Sequence, residues 1–172
     1  MEALLRDLRE YWSVNDQKID SLVRIDCEQV LAKVLALLDL RIREGGGRVS
    51  HDPLPTILAE ETPLVLLFQN LIGNALKYRR IDEPPQVHVN AERSANVWNF
   101  FVRDNGIGIE AEHADQIFAP FKRLHGAEYA GSGIGLAICQ RVVERYGGRI
   151  WVDSELGKGA SLSFTIPVEP AA

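Results

Sequence analysis

The chain has 172 residues, 46% hydrophobic and 25% charged, which is the composition of a globular domain with a sizeable core. Its net charge of −5 argues against nucleic-acid binding through general electrostatic attraction. No apolar run approaches the roughly 20 residues that cross a bilayer, and the N-terminus lacks a signal-peptide pattern, so we expect no membrane contact. Cys27 and Cys139 have no metal-binding or redox-type spacing, so we expect two buried free thiols and a cytoplasmic location.

The first sixty residues alternate helical and extended patterns. Asp26 is a candidate N-cap, with Gln29 three residues later as its capping-box partner, before a helix with a regular apolar stripe. The predicted elements of this part are a helix over 1–15, a linker over 16–21, a strand over 22–25, the helix that ends at Gly45–Gly47, a strand over 48–50 and a loop at Pro53 and Pro55.

The next helix carries an unusual polar face. Its flanks are apolar, but Asn70, Asn74 and Lys77 are spaced at i, i+4 and i+7 and therefore share one side. Asn and Gly are poor helix formers, so the two asparagines and Gly73 together indicate a site rather than a scaffold. Amide oxygens and an ammonium group suit a hydrated Mg²⁺ and a polyphosphate. The alternative is an ordinary helix whose polar side faces water.

The second half of the chain consists of strand pairs and one further helix. Thr62 and Pro63 form an N-cap and first-turn pair for the polar-faced helix. The later predicted elements are strands over 86–92 and 97–103 joined by a turn at 94–96, an irregular stretch over 118–132, a helix over 133–146 stopped by Gly147–Gly148, and strands over 149–154 and 160–167 around a turn at 157–159. This order predicts an α+β sandwich, with helices on one face of a mixed sheet.

Residues 104–109, which read D-N-G-I-G-I, follow an apolar strand. A carboxylate at the end of a strand can accept a hydrogen bond from an adenine amino group, and Gly106 and Gly108 leave room for a flat ring. A simple hairpin turn is the alternative for an isolated Asp-Asn-Gly. The acidic residues Glu110 and Glu112 that follow do not continue an alternating strand, which favours the site.

Residues 131–136, which read G-S-G-I-G-L, open the last predicted helix. The first N–H groups of a helix are unpaired and its dipole is positive there, so Gly131, Gly133 and Gly135 would let phosphate oxygens reach the backbone. A dinucleotide-binding fingerprint is a rival interpretation, but the spacing is G-x-G-x-G and no strand leads into it. A plain flexible loop is the remaining alternative.

The irregular stretch before this glycine run holds two aromatic and two basic side chains. We expect Phe118 and Phe121 to anchor it on the core, and Lys122 or Arg123 could clamp phosphate if they are not simply solvated. The four histidines of the chain lack a convincing phospho-acceptor context.

Five motifs in order make the chain resemble the catalytic ATP-binding domain of sensor histidine kinases. They read N-L-I-G-N-A-L-K-Y, D-N-G-I-G-I, F-A-P-F-K-R-L-H, G-S-G-I-G-L-A-I-C and G-K-G-A-S-L-S-F-T-I-P, and they match the N, G1, F, G2 and G3 boxes of that family. The resemblance spans about residues 22–168 and is greatest to phytochrome-type, light-sensing kinases. It implies the Bergerat-type two-layer α/β sandwich, a protein-histidine kinase activity, and the cofactors ATP and Mg²⁺.

The resemblance also implies roles for individual residues. Asn74 would ligate Mg²⁺, Asn70 would support the metal or its water, and Lys77 would contact phosphate, so Asn70 and Lys77 would serve catalysis. Asp104 would bind the adenine amino group. The other nucleotide-binding residues would be Tyr78, Gly106, Gly108, Lys122, Arg123, Gly131, Ser132, Gly133, Ile134, Gly135 and Leu136, with 119–130 as the ATP lid.

Two departures from the family pattern stand out. The phospho-accepting histidine motif is absent, and 1–15 resemble the last turns of the second helix of the dimerisation domain. We therefore expect a fragment or an isolated catalytic module, with 169–172 as a short tail. The third glycine box ends in Ala160, where the family often has Thr, and we expect little consequence. The implied partners are a histidine-bearing dimerisation domain, a response regulator receiver domain and an upstream sensor domain.

Three alternatives stay open from the sequence. The first is an ATPase of the gyrase, MutL or heat-shock chaperone type, which shares D-N-G-I-G but carries a Glu at the position of Asn70 as water-activating base. The second is an anti-sigma serine kinase of the same fold. The third is a module that has lost nucleotide binding and only docks on other kinases, although every nucleotide motif is intact here.

Overall fold

A five-stranded mixed sheet forms one layer of the protein, and three helices lie on one of its faces. The computed structural model describes residues 22–122 and 131–169, and the elements named here belong to those residues. They are β1 (Val23–Asp26), α1 (Cys27–Glu44), β2 (Arg48–His51), β3 (Thr56–Ala59), α2 (Glu61–Lys77), β4 (Gln86–Ser94), β5 (Val97–Asp104), α3 (Gly135–Arg145), β6 (Ile150–Glu155) and β7 (Gly159–Pro167). The predictions for 1–21, Arg123 and the lid from 123 to 130 lie outside the described residues.

The strand order of the large sheet is β2-β4-β5-β7-β6. β2 runs parallel to β4, whereas the other neighbours are antiparallel. β1 and β3 pair antiparallel in a separate two-stranded sheet. The predicted α+β sandwich with a mixed sheet is therefore confirmed.

Three phenylalanines join α2 to the centre of the sheet. Phe100 and Phe164 come from neighbouring strands and stack with ring centres 4.8 Å apart. Phe68 of α2 meets both rings edge-on, at 5.9 and 5.7 Å. All three side chains are fully buried, so the inner side of α2 is fixed on the sheet and its other side is left for a site.

The predicted start of α1 is right in position and differs in one hydrogen bond. Asp26 is the N-cap, but its carboxylate accepts from the N–H of Glu28 at 2.9 Å rather than from that of Gln29. Gly45 caps the other end, where its N–H donates to the carbonyl oxygen of Arg41. Cys27, the first residue of the helix, is buried with a free thiol, as expected, and burial raises its pKa to about 12.

The predicted N-cap of α2 is wrong by two residues. The helix begins at Glu61 with Glu60 as N-cap, so Thr62 and Pro63 both lie in its first turn. This position tolerates Pro63, because N–H groups of the first turn have no partner within the helix. Glu60 is held from outside α2, since its carboxylate pairs with Arg145 at 2.6 Å and its N–H donates to the hydroxyl of Tyr146.

β3 was not predicted from the sequence. It has four residues between the proline loop and α2, and it pairs with β1, where Ile57 lies opposite Ile25. The run is short and its partner is 32 residues distant in the chain (57 − 25), so no local pattern reveals it. No helix among the described residues is long and apolar enough to cross a bilayer.

Candidate functional site

The polar face of α2 is partly accessible to solvent and is not buried in the core. Asn70, Asn74 and Lys77 are half-buried, whereas Leu71, Ile72 and other positions of the helix are in the core. Asn70 turns its amide nitrogen back to the carbonyl oxygen of Leu66, at 2.9 Å, which leaves its Oδ1 directed elsewhere. The side-chain amide of Asn74 makes no hydrogen bond with any described residue.

The beginning of α3 lies directly against this face. A Cβ added to Gly135 would lie 2.6 Å from Oδ1 of Asn70, and one added to Gly131 would lie 2.8 Å from Nζ of Lys77. Real Cβ atoms are not found that close to a heavy atom, so the side chain of Asn70 or Lys77 would have to move away if its glycine were replaced. The N-cap of α3 has no side-chain cap hydrogen bond. The start of α3 therefore offers uncapped backbone beside two amides and an ammonium group.

Lys77 bends over its neighbour Tyr78. Its Nζ donates to the phenolic oxygen at 3.0 Å and lies 4.5 Å from the ring centre. Together with the contact to Gly131, this holds the ammonium group at the glycine run.

Asp104 forms the other end of the site. Its Oδ1 accepts from the N–H groups of Gly106, at 2.8 Å, and Ala160, at 3.2 Å. No described residue donates to Oδ2, and the side chain lines a cavity. One carboxylate oxygen thus fixes the loop, and the other is left for a donor in the cavity. The N–H of Ala160 that orients this carboxylate is a backbone group that a Thr would also supply, so the expectation of little consequence for Ala160 stays a prediction.

The glycines beside Asp104 allow three backbone segments to meet. A Cβ on Gly106 would collide with the carbonyl oxygen of Tyr78. Gly108 has a φ of +73°, and a Cβ there would collide with the carbonyl oxygen of Glu155. Between them, Ile107 donates to the oxygen of Tyr78 at 3.0 Å and accepts from the N–H of Gly157 at 2.7 Å. These hydrogen bonds hold Ile107 and Gly108, which line one side of the cavity and are called its backbone wall.

The cavity contains Asp104 and reaches Asn74 of α2 and Leu136 of α3, whereas Asn70, Lys77 and the glycines at 131, 133 and 135 are not among its lining residues. The predicted residues among its lining are Asn74, Tyr78, Asp104, Gly108, Lys122 and Leu136. The lining residues that sequence reasoning did not assign are Ala75, Ile107, Ile109, Ile117, Ala160 and Leu162. This second group is apolar and comes from four different parts of the chain, so only the fold assembles it. It provides the apolar walls that a purine ring requires.

Three other predicted positions have different surroundings. The side chain of Ile134 is buried in the core, so a nucleotide contact is restricted to its backbone. The oxygen of Gly133 accepts from Phe121, and the hydroxyl of Ser132 accepts from Ile134 at 3.4 Å. Phe118 is buried as expected, but Phe121 is 61% exposed with a φ of +64°, so its predicted role as a core anchor is wrong.

Burial raises the pKa of Asp104 above its ordinary value of 3.8, although the Gly106 and Ala160 hydrogen bonds act in the opposite direction. Folding therefore favours the protonated form. This contribution to stability is fully present below the unfolded pKa and is lost as the pH rises through the folded pKa.

We expect Asp104→Asn to be more stable than the wild type at pH 7 without nucleotide, because Asn keeps Oδ1 and removes a buried charge. Urea unfolding at several pH values measures the difference, which should shrink as the pH falls toward 3.8. A variant that is less stable than the wild type at pH 7 would contradict this assignment.

A two-layer sandwich with a carboxylate acceptor in a mainly apolar cavity, and with amides, an ammonium group and an uncapped helix start close to it, defines a nucleotide-binding domain of the Bergerat type. A sequence model described as "Histidine kinase-, DNA gyrase B-, and HSP90-like ATPase" matches residues 59–170. The chain belongs to this family.

Individual relatives narrow the class. The chain is 50% identical over 169 residues to "Cyanobacterial phytochrome A" of Nostoc sp., and 38% identical over 169 residues to "Phytochrome-like protein Cph1" of Synechocystis sp.. Each match covers 98% of this chain and 22% of the relative. A crystal structure of full-length ShkA in complex with AMPPNP is 33% identical, with a TM-score of 0.82, and the match covers 98% of this chain and 36% of that chain.

These relatives identify the chain as an ATP-binding catalytic domain of the sensor histidine kinase type. The predicted resemblance to phytochrome-type kinases is confirmed. The chain spans about a fifth of the length of the curated relatives that it matches.

Proposed function

We propose that this domain holds Mg·ATP and presents its γ-phosphate to a phospho-accepting histidine on a separate dimerisation domain. The observation that carries the proposal is the contact between the polar face of α2 and the start of α3. Oδ1 of Asn70 lies at Gly135, and Nζ of Lys77 lies at Gly131. A triphosphate between them would meet amide oxygens, an ammonium group and backbone N–H groups at once.

The residues present fit a magnesium ion. Mg²⁺ prefers oxygen ligands and keeps several waters, and Asn74 offers an amide without a hydrogen bond to any described residue. Asn70 has its Oδ1 free of the Leu66 bond and would hold the ion or one of its waters. When bound, the ion supplies positive charge that the phosphate oxygens share. Lys77 would add a second positive charge on the phosphate side.

At the other end of the cavity, Oδ2 of Asp104 would accept from the adenine amino group, while the Ile107–Gly108 wall and Leu162 would cover the ring. Leu136 and Lys122 line the same cavity and would face the sugar and phosphates. Phosphoryl transfer of this kind depends on positioning and charge stabilisation, so the domain needs no covalent residue of its own.

ATP hydrolysis of the gyrase type is the principal alternative within the family. It requires a carboxylate that activates water, at the position that Asn70 occupies here. An amide has no useful basicity, and the Asn70 nitrogen is bonded to its own helix. The chemistry of this side chain therefore supports transfer to a protein acceptor over rapid hydrolysis.

The proposed partners follow from the class of protein. They are the histidine-bearing dimerisation domain, a response regulator that receives the phosphoryl group, and an upstream sensor domain. A cytoplasmic location is part of the proposal, since the substrate is intracellular ATP. The three described histidines, His51, His88 and His113, lie in β2, in β4 and in a short 3-10 turn, a setting unlike a helical acceptor site.

Incubation with γ-labelled ATP and a separately purified dimerisation domain tests the proposal. We expect acid-labile label on the dimerisation domain and none on this chain. Acid-stable label on a serine would support the serine-kinase alternative, and rapid phosphate release without protein label would support the ATPase.

A further inference from the structure

Arg80 lies just after α2 and reaches across to the turn between β6 and β7. Its Nη1 donates to the carbonyl oxygen of Gly157 at 2.9 Å, and its Nη2 pairs with Oε1 of Glu83. The side chain is 29% exposed, and its buried Nε makes no hydrogen bond, with Oδ1 of Asp82 at 3.8 Å. Arg80 thus ties the segment after the metal-facing helix to a distant turn.

Gly157 connects this contact to the nucleotide cavity. Its N–H donates to the oxygen of Ile107, whose own N–H donates to Tyr78. Ile107 belongs to the backbone wall and lines the cavity close to Asp104. The hydrogen bonds therefore connect Tyr78 to Ile107, Ile107 to Gly157 and Gly157 to Arg80. Because Arg80 is only two residues after Tyr78, these contacts form a closed ring.

Glu83 extends the connection to the neighbour of Asp104. Its Oε2 accepts from the side-chain nitrogen of Asn105 at 3.3 Å, while its other oxygen binds Arg80. Asn105 also accepts from the N–H of Gln86 at 2.8 Å and donates to the oxygen of Pro84 at 3.1 Å. One carboxylate consequently joins Arg80 to the loop that carries Asp104.

We infer that Arg80, acting through Glu83 and Asn105, is a positioning residue that holds the base-facing wall of the cavity in shape before nucleotide arrives. This inference deepens the proposed function and rests on it. Partly exposed ion pairs contribute little to global stability, so the expected effect is on the cavity more than on the fold. When the wall is already formed, binding does not carry the entropic cost of ordering the Ile107–Gly108 segment. If the wall is no longer held in shape, the affinity for the base alone should fall.

Arg80→Ala tests this, with Arg79→Ala as the matched control. Arg79 is the adjacent residue and also donates to a backbone oxygen, but its acceptor is Gly45 beyond the end of α1, at 3.0 Å. A fluorescent ATP analogue is bound first, and adenosine or Mg·tripolyphosphate is then used to displace it. The two competitors report separately on the base side and the phosphate side of the cavity.

We expect Arg80→Ala to reduce the affinity for adenosine by about 5- to 10-fold, which is a loss of about 1 to 1.4 kcal/mol of binding free energy. The affinity for tripolyphosphate should fall by less than about 2-fold, because the loss is confined to the base. Arg79→Ala should change neither, Asn105→Ala should repeat the Arg80 pattern, and Arg80→Lys should recover part of the loss. Equal weakening of both competitors, or of neither, would overturn the inference. Failure of the wild type to bind the analogue would instead refute the proposed function.

Discussion

Asp104→Ala is expected to reduce ATP affinity by at least 100-fold. The substitution removes the acceptor that would meet the adenine amino group, and it also leaves the N–H groups of Gly106 and Ala160 without their partner in a half-buried loop. A hydrogen bond to a charged acceptor contributes up to about 3 kcal/mol to binding, and the two released backbone donors lower the stability of the loop in addition. Isothermal titration with ATP and Mg²⁺ measures the effect.

Asp153→Ala is the matched control for this experiment. Asp153 is an exposed aspartate on β6, and its carboxylate accepts only from the indole of Trp151 among the described residues. We expect it to bind ATP as the wild type does. Wild-type affinity in Asp104→Ala would show that the base does not bind at this carboxylate.

Gly135→Ala is expected to separate stability from function. Alanine is the best helix former, and Gly135 is the first residue of α3, so the fold should lose no stability. The new Cβ would lie 2.6 Å from Oδ1 of Asn70, which is the movable end of a side chain. Asn70 would turn away and give up its bond to Leu66, and the affinity for Mg·ATP should fall by about 10-fold or more, or about 1.4 kcal/mol.

Gly73→Ala provides the comparison within α2. Its Cβ would meet only Nη1 of Arg41, at an ordinary 3.8 Å, and would point toward α1 rather than the cavity. We expect about 0.5–1 kcal/mol of added stability and unchanged ATP affinity. Chemical unfolding and ATP titration of both variants make the test. If both substitutions affected ATP equally, the contact between Asn70 and Gly135 would have no functional meaning.

The position of Gly73 shows which features of the site can be predicted from the sequence and which cannot. The polar face of α2 is readable because helical periodicity places Asn70, Asn74 and Lys77 together, and the structure leaves them half-buried on one side. Gly73 was assigned to the same cluster, and it lies only one turn from Asn70 and Lys77, but the nearest atom to its Cβ position belongs to Arg41 of α1 rather than to the site. A helical pattern predicts which residues share a face, but it does not predict which part of the fold that face contacts.

The glycine motifs were also only partly interpretable from the sequence. Their order indicates the family and two loops, and in the structure one residue from the glycine positions of the first, Gly108, and the last residue of the second, Leu136, line the same cavity. The sequence could not indicate that Ala160 orients Asp104, or that Arg80 reaches Gly157, because these contacts span 56 and 77 residues. Long-range pairing also explains why β3 was missed while α1 and α2 were found.

The central claim is that one magnesium triphosphate lies between the amides of α2 and the first turn of α3. Titration of ATP with and without Mg²⁺, on the wild type and on Asn74→Ala, tests it most directly. The account predicts that Mg²⁺ tightens binding in the wild type, and that Asn74→Ala loses this tightening while it keeps the affinity measured without the ion. An identical magnesium dependence in the two proteins would contradict it.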